Sequence, residues 1–210
     1  MIRVAIADDH PLIRDGFRKL ISMEKDITLA AEAKNAAEVH TVLEEEKIDV
    51  LILDIGLPDK NGLEVLKDIQ ALGIKVRTLV LSMHPERRYA KRALHTGAAG
   101  YLTKDAAPEK LIEAIRTIYR EGHYITSHIA DIISSDLSKD HVQAVHETLS
   151  DREYQLLLLI GAGKAVKEIA AEWGISINTV HTYRKRLLGK LGVHSNAEIA
   201  QYALRHNLIE

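Results

Sequence analysis

Five polar side chains stand where short apolar runs close: Asp8 and Asp9 after IRVAIA, Asp54 after VLIL, Ser82 at the end of VRTLVLS, and Lys104 after GYLT. Carboxylates gathered in one site repel one another unless a cation lies among them, and a donor set made of oxygens and water suits Mg²⁺. Lys104 carries the charge, and Ser82 the hydroxyl, that an anion placed on Asp54 would need. Taken singly, Asp54 is also what a turn or a helix cap uses at the end of a strand. The case for chemistry rests on whether the elements bring all five together.

Those elements can be read from the spacing of apolar residues. The runs 2–7, 27–33, 49–53, 76–82 and 100–103 are strand-length, and helical periodicity fills the segments between them. VLIL, four aliphatics followed by a Gly- and Pro-containing turn (IGLPDKNG), reads as a strand buried on both faces. Five strand–helix units imply right-handed crossovers and a parallel sheet, with helices ending near Gly73 and Gly97 and restarting near Pro108. In an open doubly wound sheet the carboxyl ends of the strands form the ligand-binding edge. All five candidates fall there.

The 210 residues suffice for one large or two small domains. The chain has no cysteine, which removes disulfides, thiolate nucleophiles and cysteine metal sites. The start, MIRVAIADDH, lacks a signal-peptide pattern, and no run approaches a membrane span, so a cytoplasmic protein with no membrane partner is expected. The net charge is −2, and residues 1–120 hold 19 basic and 19 acidic side chains. Residues 178–194, by contrast, carry Arg184, Lys185, Arg186 and Lys190 without an acid. A local cluster of that kind is what contact with phosphates requires, although a solvated helix face has the same composition.

The motifs ADDH, LDIGLPDKNG, VLSMH and GAAGYLTKDAAPEKL resemble, in order, those of the receiver domains of two-component response regulators. The resemblance covers about the first 120 residues and implies a flavodoxin-like (βα)5 fold. It implies Asp54 as the carboxylate that takes a phosphoryl group from a sensor histidine kinase. Asp9 is then a direct Mg²⁺ ligand, Asp8 acts largely through water, and the backbone carbonyl of Gly56 is a further ligand. Ser82 and Lys104 bind the resulting phosphate, and Tyr101 resembles the aromatic switch that turns inward when Ser82 is drawn to it. Asp105 stands where many receivers have proline, which leaves the geometry of that loop open.

After Arg120 the alternation stops, and residues 121–148 read as a short helix followed by a flexible tether. His123 and His128, and again His141 and His146, are five apart, a spacing that does not stack two metal ligands on one helical face. From 149 to 210 the pattern is helical. Ser150 and Glu153 form a capping-box signature, and Ala170, Gly174 and Val180 take the small, turn and core positions of a helix-turn-helix. On a helix from Ile177 to Leu191, Val180, Leu187 and Leu191 share one side. Asn178, His181, Thr182, Lys185 and Gly189 share the other, flanked by Arg184 and Arg186.

A face of small polar and basic residues suits a major groove, with Lys185 placed for guanine acceptors, Thr182 for a thymine methyl, and Arg184, Arg186 and Lys190 for phosphates. LSDRE, GKAVKEIA, ISINTV and KLGVHS resemble the LuxR-type DNA-binding domain of NarL/FixJ response regulators. That resemblance sharpens the base-reading assignment for His181, Thr182 and Lys185. The full expected DNA set is Asn178, Thr179, His181, Thr182, Arg184, Lys185, Arg186 and Lys190. His181, Tyr183 and Asn196 depart from the residues usual there.

Together the two resemblances imply a phosphorylation-controlled transcription factor rather than a turnover enzyme, one that dephosphorylates itself. Double-stranded DNA, a second copy of the chain and RNA polymerase are the further expected partners. Two alternatives remain open: a hydrolase using Asp54, for which Gly56 stands where an acid/base carboxylate is needed, and a DNA-binding protein that is never phosphorylated.

Overall fold

The computed structural model describes residues 1–83, 85–137 and 144–209, which gather into two compact units divided between 138 and 139. In the first, β1 (Ile2–Ala7), β2 (Ile27–Ala33), β3 (Val50–Asp54), β4 (Arg77–Ser82) and β5 (Gly100–Thr103) form one parallel sheet in the order β2-β1-β3-β4-β5. Helices α1 (Pro11–Ser22), α2 (Ala36–Glu45), α3 (Gly62–Ala71), α4 (Glu86–His95) and α5 (Ala107–Glu121) follow the strands in turn. This is the flavodoxin-like order, and the chain reverses direction across the sheet between β1 and β3, where a ligand crevice forms.

The composition of β3 explains its central place. Every one of its residues is buried. Val50 and Ile52 pack with Phe17 and Ile21 of α1 and Leu111, Ile115 and Ile118 of α5, while Leu51 and Leu53, alternating to the opposite face, are also buried. Each such aliphatic contributes about 1.5–3 kcal/mol when removed from water. Polar residues of the sheet are thereby confined to its ends.

The strand–helix alternation ends at α5, but the first unit does not. Tyr124 donates its backbone N–H to Ala99 O at 2.7 Å and forms a parallel bridge with Gly100. Helix α6 (Ser127–Leu137) then packs on α4: Ile129 is fully buried, and His128 Nδ1 lies 2.7 Å from a Glu86 carboxylate oxygen that Thr126 also reaches. The tether expected after this helix falls largely on residues 138–143, outside the described residues, as does His141.

The second unit holds a 3₁₀ turn (Val145–Thr148), α7 (Asp151–Gly161), α8 (Val166–Glu172), α9 (Ile177–Leu191) and α10 (Asn196–Arg205). The capping box is present: Ser150 Oγ accepts from the Glu153 N–H at 3.3 Å, and Glu153 Oε2 accepts from the Ser150 N–H at 2.9 Å. Gly174, at φ +63°, makes the turn between α8 and α9, a backbone state that a side chain disfavours. Trp173, buried at the end of α8, lies beneath the Arg152 guanidinium, 5.0 Å away, and meets Tyr183 of α9 edge-on at 6.3 Å.

Candidate functional site

At the carboxyl edge of the sheet, β1 delivers Asp8, β3 Asp54, β4 Ser82 and β5 leads into Lys104; all four are buried. The parallel register sets Asp54 beside Leu81 and Ser82 beside Thr103, so the ends of the three strands are level. Lys104 donates its backbone N–H to Ser82 O at 2.8 Å, which fixes the start of the loop that leads into Asp105. Its Nζ donates to Asp54 Oδ2 at 2.7 Å and lies 2.7 Å from Asp8 Oδ2, the latter an ion-pair contact without hydrogen-bond geometry. One ammonium thus serves two buried carboxylates.

Burial pushes the Asp54 carboxyl above its ordinary range; the attraction of Lys104 opposes this and the repulsion of Asp8 adds to it. Burial draws the Lys104 ammonium down, but the charge of Asp54 and the contacts to both carboxylates carry it above its ordinary value. Asp8 Oδ2 and Asp9 Oδ1 are buried and accept no well-formed hydrogen bond; their close contacts are ionic in kind, 2.7 Å to Lys104 Nζ and 2.7 Å to His10 Nδ1. One ammonium among three carboxylates leaves negative charge in excess, which a hard divalent cation would offset. Asp8, Asp9, His10 and Asp54 each offer a ligand atom, and these atoms lie within 4.8 Å of one another. The residues present therefore fit Mg²⁺.

Gly56 adjoins Asp54, and its backbone N–H draws the Asp54 carboxyl down, against the effect of burial. Tyr101 is fully buried in β5. The β3–α3 loop is tied to α2 by Asp59, whose carboxylate accepts from the Ala36 and Ala37 N–H groups at 2.8 and 3.1 Å. Although burial opposes it, these bonds hold the Asp59 carboxyl below its usual range. The stability they contribute is present above the ordinary carboxylate range and is lost as pH falls through that range and below it. Neither the role of Asp59 nor the approach of His10 to the cluster follows from sequence, beyond the adjacency of His10 in ADDH.

Gly62 has a steric reason of its own. A Cβ there would lie 2.2 Å from Asp54 O and 2.9 Å from Ile55 Cα. Gly62→Ala is expected to lower stability by about 1–3 kcal/mol, as overpacking against backbone does, read as a lower urea midpoint at unchanged slope.

In the second unit, α9 buries Val180 and Leu187 and exposes Asn178, Thr179, His181, Thr182, Lys185 and Arg186. Asn178, Thr179, Thr182, Tyr183 and Arg186 line an open hollow of about 350 Å³. Two basic residues of the expected DNA set are engaged within the unit. Arg184, half-buried, donates Nε–H to Asn196 Oδ1 at 2.6 Å, and Lys190 donates to Glu153 Oε2 at 2.6 Å. The Asn196 that departs from the family pattern is thus the partner of Arg184.

The family described as "Response regulator receiver domain" matches residues 4–116, and that described as "Bacterial regulatory proteins, luxR family" matches residues 147–203. The first alone spans more than half of the chain. The chain belongs to the response regulators, in the NarL/FixJ family. Among relatives of this response regulator, Response regulator UvrY of Escherichia coli (strain K12) is 34% identical over 209 residues, 99% of this chain and 96% of that one. Transcriptional regulatory protein UhpA of Salmonella typhimurium is 38% identical over 200 residues, covering 95% and 96%. A solved structure of RcsB from Salmonella enterica serovar Typhimurium, bound to promoter P1flhDC in the presence of the phosphomimetic BeF₃⁻, superposes with a TM-score of 0.66 at 25% identity, covering 96% of this chain and 97% of that one. In this response regulator α6 lies in neither matched region.

Proposed function

We propose that Asp54 takes a phosphoryl group from a sensor histidine kinase and that its phosphorylation controls binding of α9 to double-stranded promoter DNA. The observation that carries this reading is the single Lys104 ammonium between the buried Asp54 and Asp8, with a third carboxylate, Asp9, in the same cluster. Asp8, Asp9, Asp54 and the Gly56 carbonyl would hold Mg²⁺, which when bound neutralises charge on the phosphoryl oxygens. The Asp54 carboxylate oxygen attacks phosphorus as the bond to the kinase imidazole breaks, giving an acyl phosphate. Lys104 then pairs with a phosphoryl oxygen in place of the carboxylate, and Ser82 donates its hydroxyl to another. Movement of Ser82 and Tyr101 biases the receiver toward a second state.

The chain works as a cytoplasmic switch and not as a turnover enzyme, with hydrolysis of its own acyl phosphate ending the signal. Among the described residues no helix is long and apolar enough to cross a membrane. Helix-turn-helix units bind paired half-sites as dimers, so two copies of the chain engage one operator, where RNA polymerase is the further partner. His181, Thr182 and Lys185 read bases, with Asn178, Thr179, Arg184 and Arg186 beside them; Lys190 would have to leave Glu153 to join. RcsB, bound to a promoter in the presence of a phosphomimetic, supports this order of events.

The test is intact mass after incubation with acetyl phosphate and Mg²⁺, paired with DNA binding. A phosphoryl adduct on the wild type and none on Asp54→Ala, with tighter DNA binding by the modified protein alone, is the expected result. An adduct persisting on Asp54→Ala would remove the site assignment. DNA binding unaffected by the adduct would remove the switch.

A further inference from the structure

Resting on the reading of Asp8 and Asp9 as cation ligands, we infer that Arg14 is a positioning residue for that cation, acting through the peptide that joins the two aspartates. Arg14 lies one turn into α1 and points back toward the end of β1. Its Nη1 donates to the backbone carbonyl of Asp8 at 2.7 Å, and its Nε donates to Glu32 Oε2 on β2 at 3.3 Å. Glu32 is itself gripped by Arg18, whose Nε and Nη2 reach its two oxygens at 2.7 and 2.9 Å. The guanidinium is therefore anchored to the sheet at one end and to the Asp8 carbonyl at the other.

That carbonyl belongs to the planar unit linking Asp8 to Asp9, so fixing it fixes the direction in which the chain leaves toward Asp9. Asp8 is held otherwise as well, by its N–H to Ala33 O at 3.1 Å and by Asp8 Oδ1 accepting from the His10 N–H at 2.9 Å. The Asp9 side chain is about a third exposed, and its Oδ1 lies 2.7 Å from Nδ1 of its chain neighbour His10, a ring that is itself mostly exposed. His10 follows Asp9 in the chain, so the placement of both turns on the backbone plane that Arg14 clamps. Groups that orient metal ligands from behind typically set metal affinity by about ten- to a hundred-fold.

The sign of the effect separates positioning from charge. Arg14 is a cation near a cation site, so if only its charge mattered, replacing it with an apolar side chain would tighten Mg²⁺ binding. Positioning requires the reverse. The experiment is a titration of the full chain with Mg²⁺ alone, followed by the amide chemical shifts of residues 7–10 and 54–56. Wild type, Arg14→Met, Arg14→Lys and Asp9→Asn are compared, with thermal midpoints measured in parallel.

Expected are a dissociation constant raised about ten-fold or more in Arg14→Met and an intermediate value in Arg14→Lys, which keeps the charge and one donor but not the two-ended clamp. An unchanged or lower constant in Arg14→Met overturns the inference. Should Arg14→Met fail to fold, Arg14→Lys decides, and a value equal to wild type overturns it. Equal binding by wild type and Asp9→Asn would instead remove the metal-site reading itself.

Discussion

Lys104→Met is expected to lower the stability of the first unit by about 3–5 kcal/mol at neutral pH without Mg²⁺, the usual consequence of removing one partner from a buried ion pair. Methionine fills most of the volume of the lysine stem, so the loss is electrostatic rather than a cavity. Asp54 and Asp8 would then face each other, buried, with the shared ammonium gone. The pH dependence follows from the sign of the Asp54 shift. A carboxyl whose folded pKa is raised binds its proton more tightly when folded, so ionisation of Asp54 lowers stability as pH rises from the ordinary carboxylate range through that raised value. The deficit of Lys104→Met should therefore shrink on acidification. In the wild type, Lys104 works in the other window: its pKa is raised, so its contribution is full below the ordinary lysine range and is lost only as pH climbs above it. Urea unfolding from pH 4 to 8, with and without Mg²⁺, checks the Asp54 window, across which the Lys104 contribution stays full. A variant as stable as wild type at pH 7 would mean that water, not Lys104, satisfies the two carboxylates.

Lys185→Ala is expected to cost about 1–3 kcal/mol of operator binding, mainly at one base pair, because a lysine reaching guanine acceptors in the major groove discriminates by that amount. Lys190→Ala should behave differently, despite similar exposure and charge. Its ammonium is held by Glu153, the reciprocal member of the capping box at the start of α7. Losing it should leave the salt dependence of DNA binding unchanged and reduce stability by less than about 1 kcal/mol, the scale of a half-exposed ion pair. Titrations at several salt concentrations, with operator and mutated operator, separate the two. A reduced salt slope in Lys190→Ala would show that DNA draws this lysine off Glu153, since each phosphate contact contributes about one unit of slope.

What the sequence discloses, and what it hides, divides along physical lines. The five strands were readable to within a residue because period-2 patterns and buried aliphatic runs are local, and Asp54 could be placed because VLIL ends on it. The ends of α9 were readable for the same reason, its apolar stripe of Val180 and Leu187 being spaced on one face. The contacts that make the site are not local. Lys104 meets Asp54 across fifty residues, Lys190 meets Glu153 across thirty-seven, and Asp59 meets Ala36 across twenty-three. No periodicity carries such pairings. Helix α6 was foreseen as a helix, yet its packing on α4 through Ile129 and Glu86 depends on the face α4 leaves available, which only the assembled sheet defines.

The chain has one tryptophan, and that residue sits in the second unit with its ring buried between Arg152 and the edge of Tyr183 on α9. Excited at the red edge, beyond tyrosine absorption, the protein therefore emits from one place only, some 120 residues along the chain from Asp54. Its fluorescence is an optical record of the DNA-binding unit that needs no label, and any change in it on modification of Asp54 must have crossed from one unit to the other.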